Sequence, residues 1–282
     1  MSVRSVEPNE RVRVRVLFED EHLMVVRKPA RVVTQPGVGH ERDALLNGLF
    51  ATHANALQAL GAKRDFGLVH RLDRDTSGVL VVALRPEAYD ALRAQFASRR
   101  VRKFYWAIVR KAPREATGVL RMPIEEYLER STKYTNVKRA RIAPAGKPAL
   151  TAYRVLEASD IAASIEARPV TGRLHQVRVH MDAIGCAILG DDLYGPRGVK
   201  EASPRLALHA HRIVLAHPAT GETIDVSSPW PDDLRRLPAT YGLARPTFTP
   251  GSVSERLTDD SDDRAEATDD APSPGEDGLD ES

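Results

Sequence analysis

The chain has 282 residues, of which 42% are hydrophobic and 28% are charged, and it contains a single cysteine. This composition excludes collagen-like, disulfide-stapled and wholly disordered chains, and the length allows one large domain or two. The charge is unevenly distributed, because the segment from Ser254 onward has 12 acidic and 2 basic residues, a net charge of −10. Residues 1–253 therefore hold 39 basic and 27 acidic residues, or +12. A basic body of this kind favours a polyanionic partner such as nucleic acid.

Targeting and redox signals point to the cytoplasm. The lone Cys186 excludes an internal disulfide and is typical of a reducing compartment. Residues 1–16 alternate Arg with Val, where a secretory signal would need an unbroken apolar segment. The longest uncharged run, residues 44–62, contains several polar residues and places its leucines at helical spacing, so it predicts an amphipathic helix that does not span a membrane.

The first half of the chain shows clear periodicities. Alternation over residues 11–16 predicts a half-buried strand, the acidic residues 19–21 a turn, and residues 22–27 a second strand. A continuous apolar run at 79–84 predicts a strand covered on both faces, and Pro86 suits the first turn of a helix that ends near residue 99. Alternation returns at 101–109 and predicts another strand.

The second half adds strands near residues 133–138, 151–156, 165–168 and 206–215, with a helix over 173–184. Strands and helices in no regular alternation predict an α+β fold with a largely antiparallel or mixed central sheet flanked by helices. We expect a short N-terminal lead at 1–10, one catalytic domain at 11–245 and a disordered acidic C-terminal tail at 246–282, where apolar residues nearly vanish.

The most informative segment is the polar run 67–78 between two apolar stretches. Its acidic residues could close a local turn, bind calcium or supply a catalytic carboxylate. A calcium loop would need a bidentate Glu where this chain has Leu84, so that interpretation is rejected. No metal site is predicted elsewhere, because His175 and His180 are five residues apart and no thiolate supports them. A local turn and a catalytic carboxylate beside cationic neighbours therefore both stay open.

Several motifs together resemble one known family. The run His-Arg-Leu-Asp-Arg-Asp-Thr-Ser-Gly at 70–78 is closely similar to the signature of the RluA-type pseudouridine synthases. Glu19-Asp20 and the Lys-Pro block at 25–30 resemble the family's N-terminal strand and the segment after it. Further similar blocks follow in order at 103–107, 171–180, 190–195, 208–210 and 217–218, so the resemblance covers roughly residues 15–235. It departs from the family pattern at Arg27 and Arg31, which add positive charge. The resemblance implies the pseudouridine synthase fold.

The resemblance also implies roles for individual residues. The essential catalytic residue would be Asp73, Tyr105 would lie against the target base, and Arg178 would pair with Asp73. Further RNA and base contacts are expected from four residues, namely Arg71, Lys103, Arg173 and Leu208. Asp73 could attack the sugar, attack the uracil ring or remove a ribose proton, and the three routes stay open. His70 and His175 are expected to be structural. The isomerisation needs no metal or other cofactor.

The expected function is therefore an RNA pseudouridine synthase that isomerises specific uridines in ribosomal or transfer RNA. DNA and membranes are not expected partners, and we expect a monomer. The alternative is a non-catalytic RNA-binding or RNA-folding protein with the same basic body.

Overall fold

The computed structural model describes residues 6–130 and 136–248. The described strands are β1 Arg15–Glu19, β2 Leu23–Lys28, β3 Ser77–Ala83, β4 Arg102–Val109, β5 Thr117–Arg121, β6 Ile124–Arg130, β7 Asn136–Ile142, β8 Leu150–Ala158, β9 Ala163–Pro169, β10 Leu208–Ala216 and β11 Thr223–Ser227. The α-helices are α1 Leu45–Leu60, α2 Pro86–Ala97, α3 Gln176–Ala183 and the short α4 Leu237–Thr240.

One mixed sheet dominates the fold. Its strand order is β1-β2-β3-β10-β4-β9-β8-β5, with β11 pairing with β10, while β6 and β7 form a separate hairpin. Neighbouring strands are antiparallel, except that β3 and β10 are parallel. The α+β class with a mixed sheet flanked by helices is therefore confirmed.

Helices cover both faces of the sheet at β2 and β3. Successive residues of β2 point to opposite faces, so that Val25 packs in the cluster containing Leu92 of α2, whereas Val26 packs in the cluster containing Leu49 of α1. All seven residues of β3 are buried. The continuous apolar run at 79–84 reflects this burial on two faces, as predicted.

Two predicted elements have different bounds in the structure. The alternation at 11–16 continues as a strand only from Arg15, because residues before it turn and cross α1, where the carbonyl oxygen of Val12 lies against Gly48. Helix α3 begins at Gln176 and not at residue 173. The Gln176 side chain accepts a hydrogen bond from the backbone N–H of Arg173 at 3.0 Å and so holds a turn in front of the helix.

The ends of two other predictions also differ. The predicted strand at 133–138 overlaps β7, which continues to Ile142, and residues 133–135 lie outside the described residues. Residues 249–282 of the predicted tail also lie outside them. Just before that segment Pro246 is buried, and the guanidinium carbon of Arg212 is 4.3 Å from the ring centre of Phe248. Packing against the body thus extends at least three residues past position 245.

Candidate active site

A cavity of about 680 Å³ lies at one end of the central sheet. Its walls come from the loop that precedes β3, the C-terminal end of α2, strand β4 and the turn that leads into α3. All seven predicted site residues line it, namely Arg71, Asp73, Lys103, Tyr105, Arg173, Arg178 and Leu208. Residues far apart in the chain are therefore brought to one concave surface.

Strand register places Asp73 and Tyr105 at the same end of the sheet. The Asp73 loop leads into β3, where Gly78 is aligned with Ala210 of β10, and Ala210 is aligned on its other side with Tyr105 of β4. Gly78 has φ +131°, and a Cβ atom there would lie 2.2 Å from the carbonyl oxygen of Ala210. Only glycine permits this approach of β3 to β10.

The loop that carries Asp73 is fixed by a buried threonine. The hydroxyl of Thr34 donates to the carbonyl oxygen of Leu72 at 2.9 Å and accepts from its backbone N–H at 3.3 Å. The backbone N–H of Thr76 donates to the carbonyl oxygen of Asp73 at 3.2 Å and closes the turn. The side chain of Asp73 is thus presented from a rigid backbone.

Lys28, at the end of β2, also holds the loop that carries Asp73. Its side chain is fully buried, and its ammonium group donates to the carbonyl oxygens of Pro29, Val32 and Arg74 at 2.6–3.0 Å. Burial lowers the pKa of Lys28 to about 7, while the charges of Asp73 and Asp75 act in the opposite direction. This lysine belongs to the Lys-Pro block of the sequence, and the structure shows that it links that block to the Asp73 loop.

His70 also supports the loop. Its Nε2 accepts a hydrogen bond from the backbone N–H of Val81 at 2.9 Å, and its ring stacks on Phe96 with centroids 4.7 Å apart. Burial, with a smaller contribution from the charge of Lys103, lowers the pKa of His70 to about 3. The imidazole is therefore neutral at physiological pH, as its role as an acceptor requires.

Strand β4 supplies another wall of the cavity. Burial and the charge of Asp73 raise the pKa of Tyr105, so the phenol stays protonated at neutral pH. Two positions earlier on the same strand, Lys103 donates to the carbonyl oxygen of Thr171 at 3.4 Å, and burial lowers its pKa to about 8. Leu208 of β10 is 3% exposed and adds an apolar surface to the cavity.

The structure corrects the predicted pairing of Arg178. Its Nε and Nη2 atoms donate to the two carboxylate oxygens of Asp191 at 2.8 and 2.7 Å, and no hydrogen bond joins it to Asp73 within the described part of the chain. Although burial alone would lower it, the pKa of Arg178 is raised by the hydrogen bond to Asp191 and by the charges of Asp191 and Asp73. The guanidinium thus acts on Asp73 through its charge, since Asp191 holds it in place.

Asp191 lies at the centre of a network to which the sequence assigned no role. Besides Arg178, its Oδ1 accepts the backbone N–H groups of Leu193 and Tyr194 at 2.9 and 3.0 Å. The Tyr194 hydroxyl accepts from the backbone N–H of Ala140 in β7 and lies 2.7 Å from Nδ1 of His175. The block at 190–195 was part of the family resemblance, but only the fold shows that it links α3 to the hairpin.

The two remaining arginines of the predicted set lie at the edge of the cavity. Arg71 is exposed and has no hydrogen-bond or ion-pair partner among the described residues. Arg173, predicted within the helix, lies in the turn before it, and its Nε donates to the carbonyl oxygen of Pro148 at 3.0 Å.

Neither a metal cluster nor a membrane-spanning element is found in the described ranges. Within residues 6–130 and 136–248, no group of three or more His, Cys, Asp or Glu side chains could hold a metal ion. In the same ranges, no helix has both the length and the apolar character needed to cross a bilayer.

Comparisons with known proteins agree with this geometry. The family model described as RNA pseudouridylate synthase matches residues 22–183. A ribosomal large subunit pseudouridine synthase D from Zymomonas mobilis is 39% identical over 239 residues, covering 82% of this chain and 73% of that protein. An uncharacterized RNA pseudouridine synthase from a Synechocystis species is 37% identical, covering 79% and 67% respectively.

A solved structure gives the same result. Human RNA pseudouridylate synthase domain containing 1 superimposes with a TM-score of 0.65 at 27% identity, covering 89% of this chain and 97% of that one. Family model, sequence relatives and solved structure thus agree on the fold that surrounds the cavity. The chain belongs to the RNA pseudouridylate synthase family, of the RluA type, and is an isomerase that acts on RNA.

Proposed function

We propose that this enzyme converts uridine to pseudouridine in ribosomal RNA of the large subunit, with Asp73, Tyr105 and Arg178 as its catalytic residues. The main observation behind this proposal is that these three residues, from a loop, a strand and a helix, line one cavity. Support for the target comes from relatives whose names specify the ribosomal large subunit. Transfer RNA is the second candidate target. We further propose that the enzyme works as a cytoplasmic monomer and uses neither DNA nor a membrane as partner.

The reaction breaks the bond between ribose C1′ and uracil N1, turns the base and joins C1′ to C5. The proton on C5 leaves and N1 gains one, so no electrons are gained or lost overall. The target base must leave its stack to reach the cavity, at a cost of a few kcal/mol. A cavity of about 680 Å³ is large enough for one nucleotide, because small-molecule sites range from about 300 to 1,000 Å³.

In this proposal Asp73 performs the bond-breaking step. Its carboxylate accepts no hydrogen bond from the described residues, so its lone pairs are available to the sugar or the base. Attack on the sugar, attack on the uracil and removal of a ribose proton all begin from that carboxylate. Arg178 carries a positive charge that interacts with this carboxylate, while its own hydrogen bonds go to Asp191.

Tyr105 and Leu208 hold the uracil between them in this proposal. An aromatic ring offers the flat surface on which a flipped or detached base stacks. The raised pKa of Tyr105 has a mechanistic consequence. A protonated phenol passes the C5 proton on only as a relay, accepting one proton as it releases its own.

The remaining positive side chains contact the RNA backbone. Arg71 and Arg173 border the cavity, and Lys103 lies within it. Contacts to phosphate position an RNA without reading its sequence. We therefore assign these three residues to affinity and orientation rather than to bond breaking.

The test uses unmodified large-subunit ribosomal RNA, a parallel transfer RNA pool and position-resolved detection of pseudouridine. We expect the wild-type enzyme to modify one or a few uridines of the ribosomal RNA, and Asp73→Asn to reduce the rate by about 10²-fold or more. The matched control is Asp75→Asn, because that carboxylate lies two residues away, does not line the cavity and faces Arg74 at 3.3 Å. Full activity of Asp73→Asn would overturn the assignment of the site. Modification confined to transfer RNA would overturn the assignment of the target.

A further inference from the structure

The C-terminal end of α2 has an unusual residue at a position that favours glycine. The backbone N–H of Arg100 donates to the carbonyl oxygen of Gln95 at 2.9 Å, and that of Arg99 donates to Phe96 at 3.2 Å. This pair of hydrogen bonds is the Schellman motif, whose αL position is usually occupied by glycine. Here Arg99 occupies it with φ +56°. A left-handed conformation is unfavourable for a residue with a Cβ atom, and arginine lacks the short polar side chain that eases it.

The side chain of Arg99 faces the active-site cavity. The cavity that holds Asp73 is lined on this side by Arg93, Phe96 and Ala97 of α2 and by Arg99 just after the helix. Arg99 is only partly buried, and its guanidinium group has no hydrogen-bond or ion-pair partner within residues 6–130 and 136–248. The strained backbone therefore presents an unneutralised guanidinium group to the site.

The charge of the cavity identifies the ligand class. Six cationic side chains line it against two carboxylates, those of Asp73 and Glu126. Most of the cationic groups are engaged within the protein: Arg93 donates to a backbone carbonyl, and Arg178 is held by Asp191. A guanidinium group with all its donors free beside an RNA cavity is suited to phosphate.

We propose that Arg99 binds a backbone phosphate of the RNA strand whose uridine enters the cavity, and that the left-handed turn at the end of α2 serves to aim it there. Strained backbone positions cluster at functional sites, and this one is strained at the wall that faces Asp73. The proposal rests on the cavity being the RNA site, and it adds a phosphate-binding residue from α2.

The decisive variant is Arg99→Gly, because glycine relieves the backbone and removes the charge at once. We expect its Tm to rise by roughly 2–4 °C while its Kd for an unmodified substrate transcript rises by about fivefold to tenfold. The slope of log K against log salt should fall in magnitude by about 0.7–0.9, which corresponds to one phosphate contact. When rates are measured over a range of RNA concentrations, the KM for RNA should rise while kcat changes by less than about twofold.

Three further variants complete the test. Arg99→Ala keeps the strained backbone without the charge, so it should lose the same affinity with no rise in Tm, and Arg99→Lys should keep most of the affinity. The matched control is Arg100→Ala, since Arg100 is exposed, does not line the cavity and donates to the Ser98 hydroxyl. Wild-type affinity in Arg99→Gly, or an equal loss in Arg100→Ala, would overturn the proposal. Affinity is read separately from turnover, so this outcome is independent of whether Asp73→Asn abolishes activity.

Discussion

The buried ion pair between Arg178 and Asp191 offers a quantitative test of how the site is held together. Their side chains are 2% and 1% exposed and are joined by two charge-assisted hydrogen bonds of 2.7 and 2.8 Å. The substitution Asp191→Asn preserves the shape of the side chain. Its amide oxygen can still accept the backbone N–H groups of Leu193 and Tyr194. Its amide nitrogen then replaces the oxygen that accepts from Nε of Arg178, so the change removes the charge and one of the two hydrogen bonds to the arginine.

The expected cost follows from what is left behind. Each charge-assisted hydrogen bond contributes about 1.5–3 kcal/mol, and breaking one partner of a buried ion pair costs about 3–5 kcal/mol because a charge stays buried and unpaired. We therefore expect Asp191→Asn to lower the free energy of unfolding by about 3–4 kcal/mol. The lower part of the range applies because Arg178 keeps a second carboxylate partner, Asp192, whose Oδ1 lies 3.4 Å from its Nη2, and because the charge of Asp73 also acts on it. For a folded body of this size, the Tm should fall by roughly 6–16 °C.

The assay is urea unfolding at pH 7 in a double-mutant cycle. Arg178→Met removes the buried cation, so adding Asp191→Asn to it should cost at least 2 kcal/mol less than in the wild type. Activity at saturating RNA should fall in Asp191→Asn even at temperatures where the variant is fully folded, because the guanidinium group of Arg178 is no longer held in its position. A loss of unfolding free energy below about 1 kcal/mol in the single variant would refute the reasoning, because the pair would then not hold Arg178 in place.

Two further predictions concern the backbone and pH. Gly78→Ala places a Cβ atom 2.2 Å from the carbonyl oxygen of Ala210 at a residue with φ +131°. It should lower the free energy of unfolding in urea by about 3 kcal/mol or more. A loss under about 1 kcal/mol would contradict the close approach of β3 and β10. The pKa of His70 is lowered to about 3, so the unfolded chain takes up its proton first and stability falls as pH falls from about 6.5 toward 3. In His70→Gln the loss of unfolding free energy between pH 7 and pH 5 should be about 2 kcal/mol smaller than in the wild type, and identical pH profiles would contradict a neutral buried imidazole.

The periodicity of the sequence was sufficient to predict those strands and helices whose pattern of buried residues is visible within the segment itself. Strand β3 and helices α1 and α2 were predicted within a few residues, because a continuous apolar run and helical spacing are properties of the segment itself. The alternation at 11–16 predicted a strand that begins too early, because a tertiary contact changes the path of the chain there. The chain there crosses α1 at Gly48, and no local pattern contains that crossing.

Strand β6 was missed because the residues that stabilise it lie on the following strand, β7, and not within its own segment. Glu125 and Glu129 have little preference for strands, and their segment does not resemble one by itself. In the hairpin Glu125 pairs with Arg141 at 2.8 Å, and Glu129 forms an ion pair with Arg139. Opposite charges across neighbouring strands stabilise the pairing, and that complement is visible only once β7 is in register.

The candidate site shows the same division between motif and fold. Motif resemblance identified Asp73, Tyr105 and Arg178, and the structure places all three in one cavity. The motif resemblance did not identify Asp191 as the partner of Arg178, because that partner depends on how a loop 13 residues away packs against α3. The predicted Arg178–Asp73 pair was chemically reasonable, and the fold satisfies the same cation with a different carboxylate.

That substitution of partner has a consequence for catalysis. A carboxylate in a direct bidentate pair with arginine has its lone pairs occupied and its basicity lowered, which would weaken Asp73 in any of the three routes. By holding Arg178 through Asp191, the fold keeps a positive charge near Asp73, while the oxygens of Asp73 accept no hydrogen bond from any described residue. The strand approach at Gly78, the hydrogen bonds of Thr34 and the ammonium group of Lys28 hold the loop that carries the free carboxylate. Asp191 and Asp192 thus pair with Arg178 directly, and Asp73 interacts with the same arginine through its charge alone.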